Sequence, residues 1–155
     1  MTEAVLFLDF DGTLHPFGCW VDQHFCRLPV LEAWLRRRAD VAIVITSTWR
    51  QDHTLEELRA RFAADLQARV IGATPVLQRD SWAQRGGEPQ GLQHERHTEV
   101  LRWLAQSGEP LRRWAALDDQ VELYKPGCEQ LVLCNSKVGL TQLELEELDR
   151  VLGFR

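Results

Sequence analysis

Two aspartates, Asp9 and Asp11, follow directly on a run of five apolar residues, Ala4 to Leu8. The continuous apolar run predicts a strand that is buried on both faces of a parallel sheet. Side chains two residues apart face the same way at a strand end, and ligands bind outside the carboxyl ends of such strands. Gly12 then allows a sharp turn. A turn alone explains one aspartate and the glycine, so the second carboxylate indicates a catalytic pair.

Polar residues also end two later apolar runs. Thr46 and Ser47 follow the second run, and Asp118 and Asp119 follow the fourth. Parallel strands end at one edge of a sheet, so we expect these groups to converge there with the first pair of acids. Clustered carboxylates need a cation, and hard oxygen ligands without a nearby His or Cys set favour Mg²⁺. A hydroxyl and an arginine beside that metal suit a phosphoryl group.

The elements that position these groups alternate between strand and helix patterns. Strands are predicted at 4–8, 41–45, 70–71, 114–117 and 131–134. Helices are predicted from Pro29, from the capping box of Thr54 and Glu57, over 96–106, and from the capping box of Thr141 and Glu144. The pattern predicts an α/β fold, a doubly wound, Rossmann-like parallel sheet of about five strands with helices on both faces. At this length, residues 1–155 are expected to form a single domain.

Composition limits the function classes. The net charge of −5 argues against general nucleic-acid binding and membrane-surface binding. No stretch approaches the ~20 apolar residues that span a bilayer, and the N-terminus lacks the basic region of a signal peptide. The four cysteines show neither a C-x-x-C pair nor zinc-like spacing, which favours reduced thiols and a cytoplasmic location.

The order of these motifs resembles the haloacid-dehalogenase-like (HAD) superfamily of phosphatases and phosphotransferases. Asp9 and Asp11 match its D-x-D-G-T motif, a hydroxyl of 46–47 matches its second motif, and the acids at 118–119 match its last. The sequence around 47–50, 99–104 and 139–141 is similar to that of small capless HAD-like domains. Such domains are found alone or in RNA-repair proteins. No cap domain of substantial size fits between the predicted elements.

The resemblance implies a role for each site residue. Asp9 would attack phosphorus and form an aspartyl-phosphate, and Asp11 would act as the general acid and base. Mg²⁺ would bind Asp9, the backbone carbonyl of Asp11 and one acid of the later pair, with Asp119 preferred as the ligand and Asp118 as its support. The phosphate-binding hydroxyl is Thr46 or Ser47, with Ser47 preferred because it lies at the turn.

One departure from the family concerns the lysine that neutralises the phosphoryl group. Lys125 and Lys137 are the only lysines, and both follow the acidic pair. Arg96 lies at the start of the helix that usually supplies the lysine, and arginine binds phosphate well. We therefore predict Arg96 in this position, with Lys125 as the substitute. The departure also keeps open a catalytically weak or inactive HAD-like binding or regulatory module.

Other readings of the residues are weaker. A receiver-like phosphoacceptor switch needs an aspartate after the third strand, where this chain has Gly72. His94 and His97 could contribute to a zinc site, but a solvated helix start is favoured because the sequence shows no third ligand.

The substrate is expected to be a phosphorylated small molecule, protein or nucleic-acid end. Trp20, Trp49 and Trp82 lie in loops near the predicted site and could stack on a ring of the substrate, although packing is favoured for Trp49. The polar loop from Gln78 to Gln93 could cover a small substrate.

Overall fold

The computed structural model describes residues 4–77 and 94–155, and within these ranges five strands form one parallel sheet. The strand order is β3-β2-β1-β4-β5. The strands are β1 (Ala4–Leu8), β2 (Val41–Ile45), β3 (Val70–Ala73), β4 (Arg113–Asp118) and β5 (Leu131–Leu133). The predicted fold class is confirmed. The central strand β1 is the one that leads into the first pair of aspartates.

Helices cover both faces of the sheet, as the apolar patterns predict. The helices are α1 (Leu28–Arg37), α2 (Leu55–Arg59), α3 (Glu95–Gln106) and α4 (Gln142–Leu152). One face of β1, with Leu6 and Leu8, lies in a core cluster with side chains of α1, α2 and α4. The other face, with Val5 and Phe7, lies in a cluster with Val100 of α3. Because both faces are covered, all five residues of β1 are fully buried.

The helix predicted from the capping box of Thr54 and Glu57, whose apolar face would extend to Leu66, is shorter in the structure. The α-helix ends at Arg59, and a 3-10 helix follows at Ala64–Arg69. The backbone amide of Ala63 donates to Glu32 Oε2 of α1 at 2.6 Å, so this amide is not part of a continuous helix. The apolar spacing was nevertheless informative, because Phe62 and Leu66 are both buried.

Both predicted capping boxes are present, at Thr54 with Glu57 and at Thr141 with Glu144. In the described ranges, the connections between strands hold only helices, 3-10 turns and short loops, and none of the helices there is long and apolar enough to span a bilayer. The loop predicted from Gln78 to Gln93, with Trp82, lies outside the described residues.

Candidate active site

Strand register brings the predicted polar residues to one edge of the sheet. Leu8 at the end of β1 pairs with Ile45 of β2 and with Leu117 of β4. The next residue on each strand is therefore level with the others, and these residues are Asp9, Thr46 and Asp118. The ladder also continues past β1, since the Asp9 amide donates to the Leu117 carbonyl at 3.1 Å. Three separate apolar runs thus deliver one polar residue each to the same place.

Arg96 on the first turn of α3 lies between two of these carboxylates. Its Nη1 is 3.1 Å from Asp9 Oδ1 and 2.7 Å from Asp118 Oδ2. Arg96 is 5 % exposed and Asp9 is 2 % exposed, so the contacts are shielded from solvent. The predicted cation is therefore beside the predicted nucleophile. Lys125, the alternative, is an exposed residue whose backbone amide donates to His97 Nδ1.

The pKa values of Asp9, Asp118 and Arg96 indicate that the two buried acids are stabilised by the positive charge that they share. Burial and the neighbouring Asp118 raise the pKa of Asp9 well above its ordinary value, although Arg96 acts in the opposite direction. Burial likewise raises the pKa of Asp118, against the effect of Arg96. Burial alone would lower the pKa of Arg96, but the two carboxylates outweigh it and raise that pKa above its ordinary value. The guanidinium therefore remains charged, and the acids gain from any further cation.

Asp119 completes this group from the turn after β4. Its carboxylate lies directly over Gly12, where an added Cβ would be only 2.1 Å from Asp119 Oδ2. Gly12 also has a φ of +77°, which L side chains rarely adopt. Glycine is thus required at this position of the D-x-D-G-T motif for two reasons: the positive φ of the turn, and the space that the Asp119 carboxylate occupies.

We call Asp9, Asp118 and Asp119 the acid cluster. Their carboxylates are suited to binding a hard divalent cation. One carboxylate oxygen from each lies within 4.8 Å of the others. Three carboxylates and the single Arg96 guanidinium leave two negative charges, which a divalent ion balances. Asp119 Oδ1 is buried and has no hydrogen-bond partner among the described residues. An all-oxygen set of this kind suits Mg²⁺ rather than a softer metal.

Asp118 is held more tightly than Asp119. Its Oδ1 accepts from the backbone amides of Asp119 and Gln120 at 2.8 and 3.0 Å, while its Oδ2 accepts from Arg96. These contacts leave Asp118 occupied with the turn and the arginine. Asp119 Oδ1 has no such partner among the described residues, and the assignment of Asp119 as the ligand and Asp118 as its support stays a prediction.

Asp11 has surroundings unlike those of Asp9. Its Oδ1 is 2.7 Å from His15 Nε2, and its Oδ2 accepts from the Trp49 indole at 3.0 Å. His15 Nδ1 accepts the Phe25 amide at 3.1 Å, so the proton of a neutral His15 lies on Nε2 and is donated to Asp11. The hydrogen bond from His15 lowers the pKa of Asp11, with Trp49 acting in the same direction against burial.

The two candidate hydroxyls after β2 have different partners. Ser47 Oγ accepts the Trp49 amide at 3.2 Å and caps the 3-10 helix Thr48–Gln51. Thr46 Oγ1 is buried and has no hydrogen-bond partner among residues 4–77 and 94–155. The geometry therefore favours Thr46 over Ser47 as a hydroxyl available to a ligand, which reverses the preference drawn from the sequence.

A buried ion pair holds this turn against α3. Arg50 Nη2 is 2.8 Å from Glu99 Oε2, and both side chains are 5 % exposed. The same guanidinium donates to the backbone carbonyls of Ser47 at 2.9 Å and Thr74 at 2.9 Å. Arg50 thus connects the ends of β2 and β3 to the helix that carries Arg96.

Comparison with protein families agrees with this geometry. The family model described as "HAD domain in Swiss Army Knife RNA repair proteins" matches residues 5–145. The chain belongs to this family. The resemblance to small HAD-like domains is therefore confirmed, and the chain is a HAD-like hydrolase domain. Comparisons with curated proteins and with solved structures gave no match.

Within this HAD domain, sequence reasoning missed several contributors to the site. His15 and the Trp49 indole hold Asp11, yet packing was the favoured role for Trp49, and His15 had no predicted role. The four-residue spacing between Asp11 and His15 was the available signal. Trp20 is 82 % exposed, so its side chain is open to solvent.

The start of α3 was also wrongly expected to be solvated. His97 and Arg96 are both buried. His97 Nδ1 accepts the Lys125 amide at 3.1 Å, while His94 Nδ1 lies 3.2 Å from the Glu122 carbonyl. The two histidines therefore serve separate backbone contacts, and neither belongs to a group of three or more ligand-type side chains in the described ranges.

Proposed function

We propose that this HAD domain is a Mg²⁺-dependent phosphomonoester hydrolase in which Asp9 is the nucleophile. The observation that carries the proposal is the placement of Asp9 at the end of the central strand, where Arg96 contacts it and two further acids lie close enough to share a divalent cation with it. A carboxylate nucleophile beside an anionic phosphoryl group needs this concentration of positive charge.

The reaction divides into two displacements on phosphorus. A carboxylate oxygen of Asp9 attacks the phosphorus atom, the bond to the ester oxygen breaks, and that oxygen takes a proton from Asp11. The product is an aspartyl-phosphate and a free alcohol. Water then transfers a proton to Asp11 and attacks the phosphorus, and the bond to Asp9 breaks to release phosphate. Both side chains return to their starting states.

The residues around Asp9 hold the phosphoryl group and its charge. Asp9, Asp119 and the Asp11 carbonyl would hold Mg²⁺, which supplies charge stabilisation and alignment when bound. Arg96 neutralises Asp9 and can donate to a phosphoryl oxygen. The unpartnered hydroxyl of Thr46, on the neighbouring strand, is the second donor to that oxygen.

Asp11 is suited to proton transfer because its orientation is fixed independently of the acid cluster. His15 and Trp49 hold one carboxylate oxygen each. The lowered pKa of Asp11 favours release of its proton to the ester oxygen, and the anion that remains accepts the proton of the attacking water. A bound phosphoryl group adds negative charge nearby and raises its proton affinity for the first displacement. General acid–base catalysis of this kind contributes about 10²–10⁴ in rate.

The alternative of an inactive regulatory module rested on the missing lysine. Arg96 supplies the cation at Asp9, which removes the main argument for that alternative. The receiver-like alternative is also disfavoured, because β3 ends at Ala73 and is followed by Thr74 rather than by an acceptor aspartate.

The phosphorylated substrate stays open among the three classes named above. The family description refers to RNA repair proteins, which favours a nucleic-acid end, and the exposed indole of Trp20 could stack on a base. A panel of phosphorylated nucleotides, sugars, peptides and nucleic-acid ends would identify the class.

The central test is Asp9→Asn with a chromogenic phosphomonoester in the presence of Mg²⁺. We expect turnover to be abolished while the thermal unfolding transition is kept, because asparagine retains the shape but is not a nucleophile. Asp40→Asn is the matched control, since Asp40 is exposed and precedes β2 at the opposite end of the sheet. It should retain full activity.

Removal of Mg²⁺ by a chelator should also abolish turnover of the unaltered protein, and added Mg²⁺ should restore it. Metal-dependent turnover retained by Asp9→Asn would disprove the proposed nucleophile. A well-folded, Mg²⁺-loaded protein with no turnover of any substrate in the panel would favour the inactive module.

A further inference from the structure

A second cluster of ligand-type side chains lies in the loop between β1 and α1. His15, Cys19 and His24 each place one ligand atom within 4.8 Å of the others. The rings of His15 and His24 stack with their centroids 4.7 Å apart. His15 is 1 % exposed, and the other two residues are half-buried. We call these three residues the loop cluster.

The donor atoms of the loop cluster are chemically different from those of the acid cluster. Two imidazole nitrogens and a thiolate sulfur are ligands for Zn²⁺ and similar borderline-soft ions, whereas Mg²⁺ prefers oxygen. Three protein ligands leave one position of a tetrahedral site for water or another group. The spacing is H-x3-C-x4-H, which contains one cysteine and therefore no C-x-x-C pair.

The surroundings of His15 match those of a metal-bound histidine. Such a histidine usually donates its other ring N–H to a carboxylate, which fixes the orientation of the ring. Here His15 Nε2 already lies 2.7 Å from Asp11 Oδ1. His15 Nδ1 is held by the Phe25 amide at 3.1 Å, and Phe25 has a φ of +63°. Binding through Nδ1 would keep the Asp11 contact and replace only the Phe25 amide.

Aromatic side chains enclose the loop cluster. Phe25 packs edge-on against His15 with ring centroids 5.4 Å apart, and Trp49 packs against His24 at 5.5 Å. An apolar shell of this type limits solvent access and strengthens electrostatic interactions at a metal. The same Trp49 donates to Asp11, so the shell is continuous with the candidate active site.

We propose that His15, Cys19 and His24 bind a Zn²⁺-class divalent cation, separate from the Mg²⁺ site of the acid cluster and adjoining it through the His15–Asp11 hydrogen bond. The loop cluster is independent of whether the domain hydrolyses phosphate esters. With the cation bound, the loop from β1 to α1 is cross-linked at three positions, and the histidine that holds Asp11 is fixed in orientation.

Cobalt(II) binding to the whole chain, with excess Mg²⁺ present to occupy oxygen sites, tests the proposal. Co²⁺ bound to a thiolate gives a near-ultraviolet sulfur-to-metal charge-transfer band, and we expect this band at one ion per chain. Zn²⁺ should displace the cobalt and abolish the band. Cys19→Ser should abolish the band, and His24→Gln should weaken Zn²⁺ binding at least about tenfold in a competition with a chromogenic chelator.

Cys128→Ser is the matched control, because Cys128 is also half-buried but lies beyond β4. It should retain the band and the Zn²⁺ affinity. Asp9→Asn should retain them too, so loss of phosphatase activity does not affect this readout. Absence of the band in the unaltered protein, or a band that persists in a folded Cys19→Ser variant, would rule out the loop cluster as the site.

Discussion

The acid cluster and the loop cluster are close to each other but are built in different ways. The acids of the first lie at the carboxyl ends of β1 and β4, where the register places Asp9 and Asp118 level, and the burial of these two is nearly complete. The loop cluster comes from a single connection, the one between β1 and α1. This connection consists of turns and the 3-10 helix Val21–Gln23, and Gly18 and Phe25 on either side of that helix have positive φ. One site depends on long-range strand pairing, and the other depends on local turns.

The difference predicts how each site responds to change. Buried acids that share an arginine are sensitive to the loss of that positive charge, because the remaining carboxylates then have neither a counter-charge nor solvent to stabilise them. In the loop cluster two of the three side chains are half-buried, so the loss of one ligand should reduce metal affinity while the rest of the fold is maintained. Asp11 lies between the acid cluster and the loop cluster, since its carboxylate is held by His15 from the loop and by Trp49 from the turn after β2.

The largest effect is expected when Arg96 is replaced. Arg96→Met leaves Asp9 and Asp118 buried without their counter-charge, and breaking a buried ion pair in this way costs about 3–5 kcal/mol. We expect this loss in the free energy of unfolding from urea titration, together with loss of phosphatase turnover. Arg102→Met is the control, because Arg102 lies on the same helix and is exposed.

Arg96→Lys covers the case in which the methionine variant does not fold. It keeps a positive charge, so we expect a folded protein with reduced turnover and an unchanged cobalt band at the loop cluster. Equal stability of Arg96→Met and Arg102→Met would contradict the charge balance described for the acid cluster.

Two glycines separate the clusters experimentally. Gly12 and Gly18 both have positive φ, +77° and +71°, so alanine should add strain of about 1–2 kcal/mol at either position. Only at Gly12 would the new Cβ also meet the Asp119 carboxylate, whereas nothing lies within 4 Å at Gly18. A shift of about 1 Å at a catalytic group can cost about 10²-fold in rate.

We therefore expect Gly12→Ala to reduce phosphatase turnover about a hundredfold and to leave the cobalt band in place. Gly18→Ala, next to Cys19, should weaken cobalt binding and keep turnover. Steady-state rates and cobalt titrations of the two variants provide the measurement. Similar losses of turnover in both would mean that backbone strain, and not the Asp119 contact, makes Gly12 necessary.

Sequence patterns predicted the acid cluster well because its positions depend on strand ends. Continuous apolar runs located β1, β2 and β4 within a residue, and the parallel order of strands then brought Asp9 and Asp118 together. Arg96 was predictable for a similar reason, since it lies one residue after the start of α3. Its contacts to both acids could not be read from spacing, because they depend on how α3 packs on the sheet.

Features that depend on turns were predicted poorly. The choice between Thr46 and Ser47 required knowing which hydroxyl caps the next turn. Position alone favoured Ser47, whereas the hydrogen bonds in the structure favour Thr46. The loop cluster was missed because His15, Cys19 and His24 approach each other only through the conformation of the loop. The break in the helix predicted from Thr54 was missed for the same reason, since a buried glutamate from another helix, Glu32, takes the Ala63 amide.

The smallest expected effects distinguish the two hydroxyls after β2. Thr46→Val replaces a buried hydroxyl that has no partner in the described residues, and an unsatisfied buried polar group costs about 1–3 kcal/mol. The substitution should therefore leave the free energy of unfolding equal or slightly higher, but lower phosphatase turnover. Ser47→Ala removes the cap of the 3-10 helix, which should cost about 0.5–2 kcal/mol, and should keep turnover.

We thus expect Thr46→Val to lose activity without losing stability, and Ser47→Ala to lose stability without losing activity. Urea unfolding and phosphatase rates measured on both proteins give the comparison directly. If Ser47→Ala loses turnover and Thr46→Val keeps it, the phosphoryl donor is the serine, and the bond from the Trp49 amide must then be exchanged when substrate binds. If neither loses turnover, the hydroxyls contribute only to the fold, and Arg96 is left as the donor to the phosphoryl group from this side of the acid cluster.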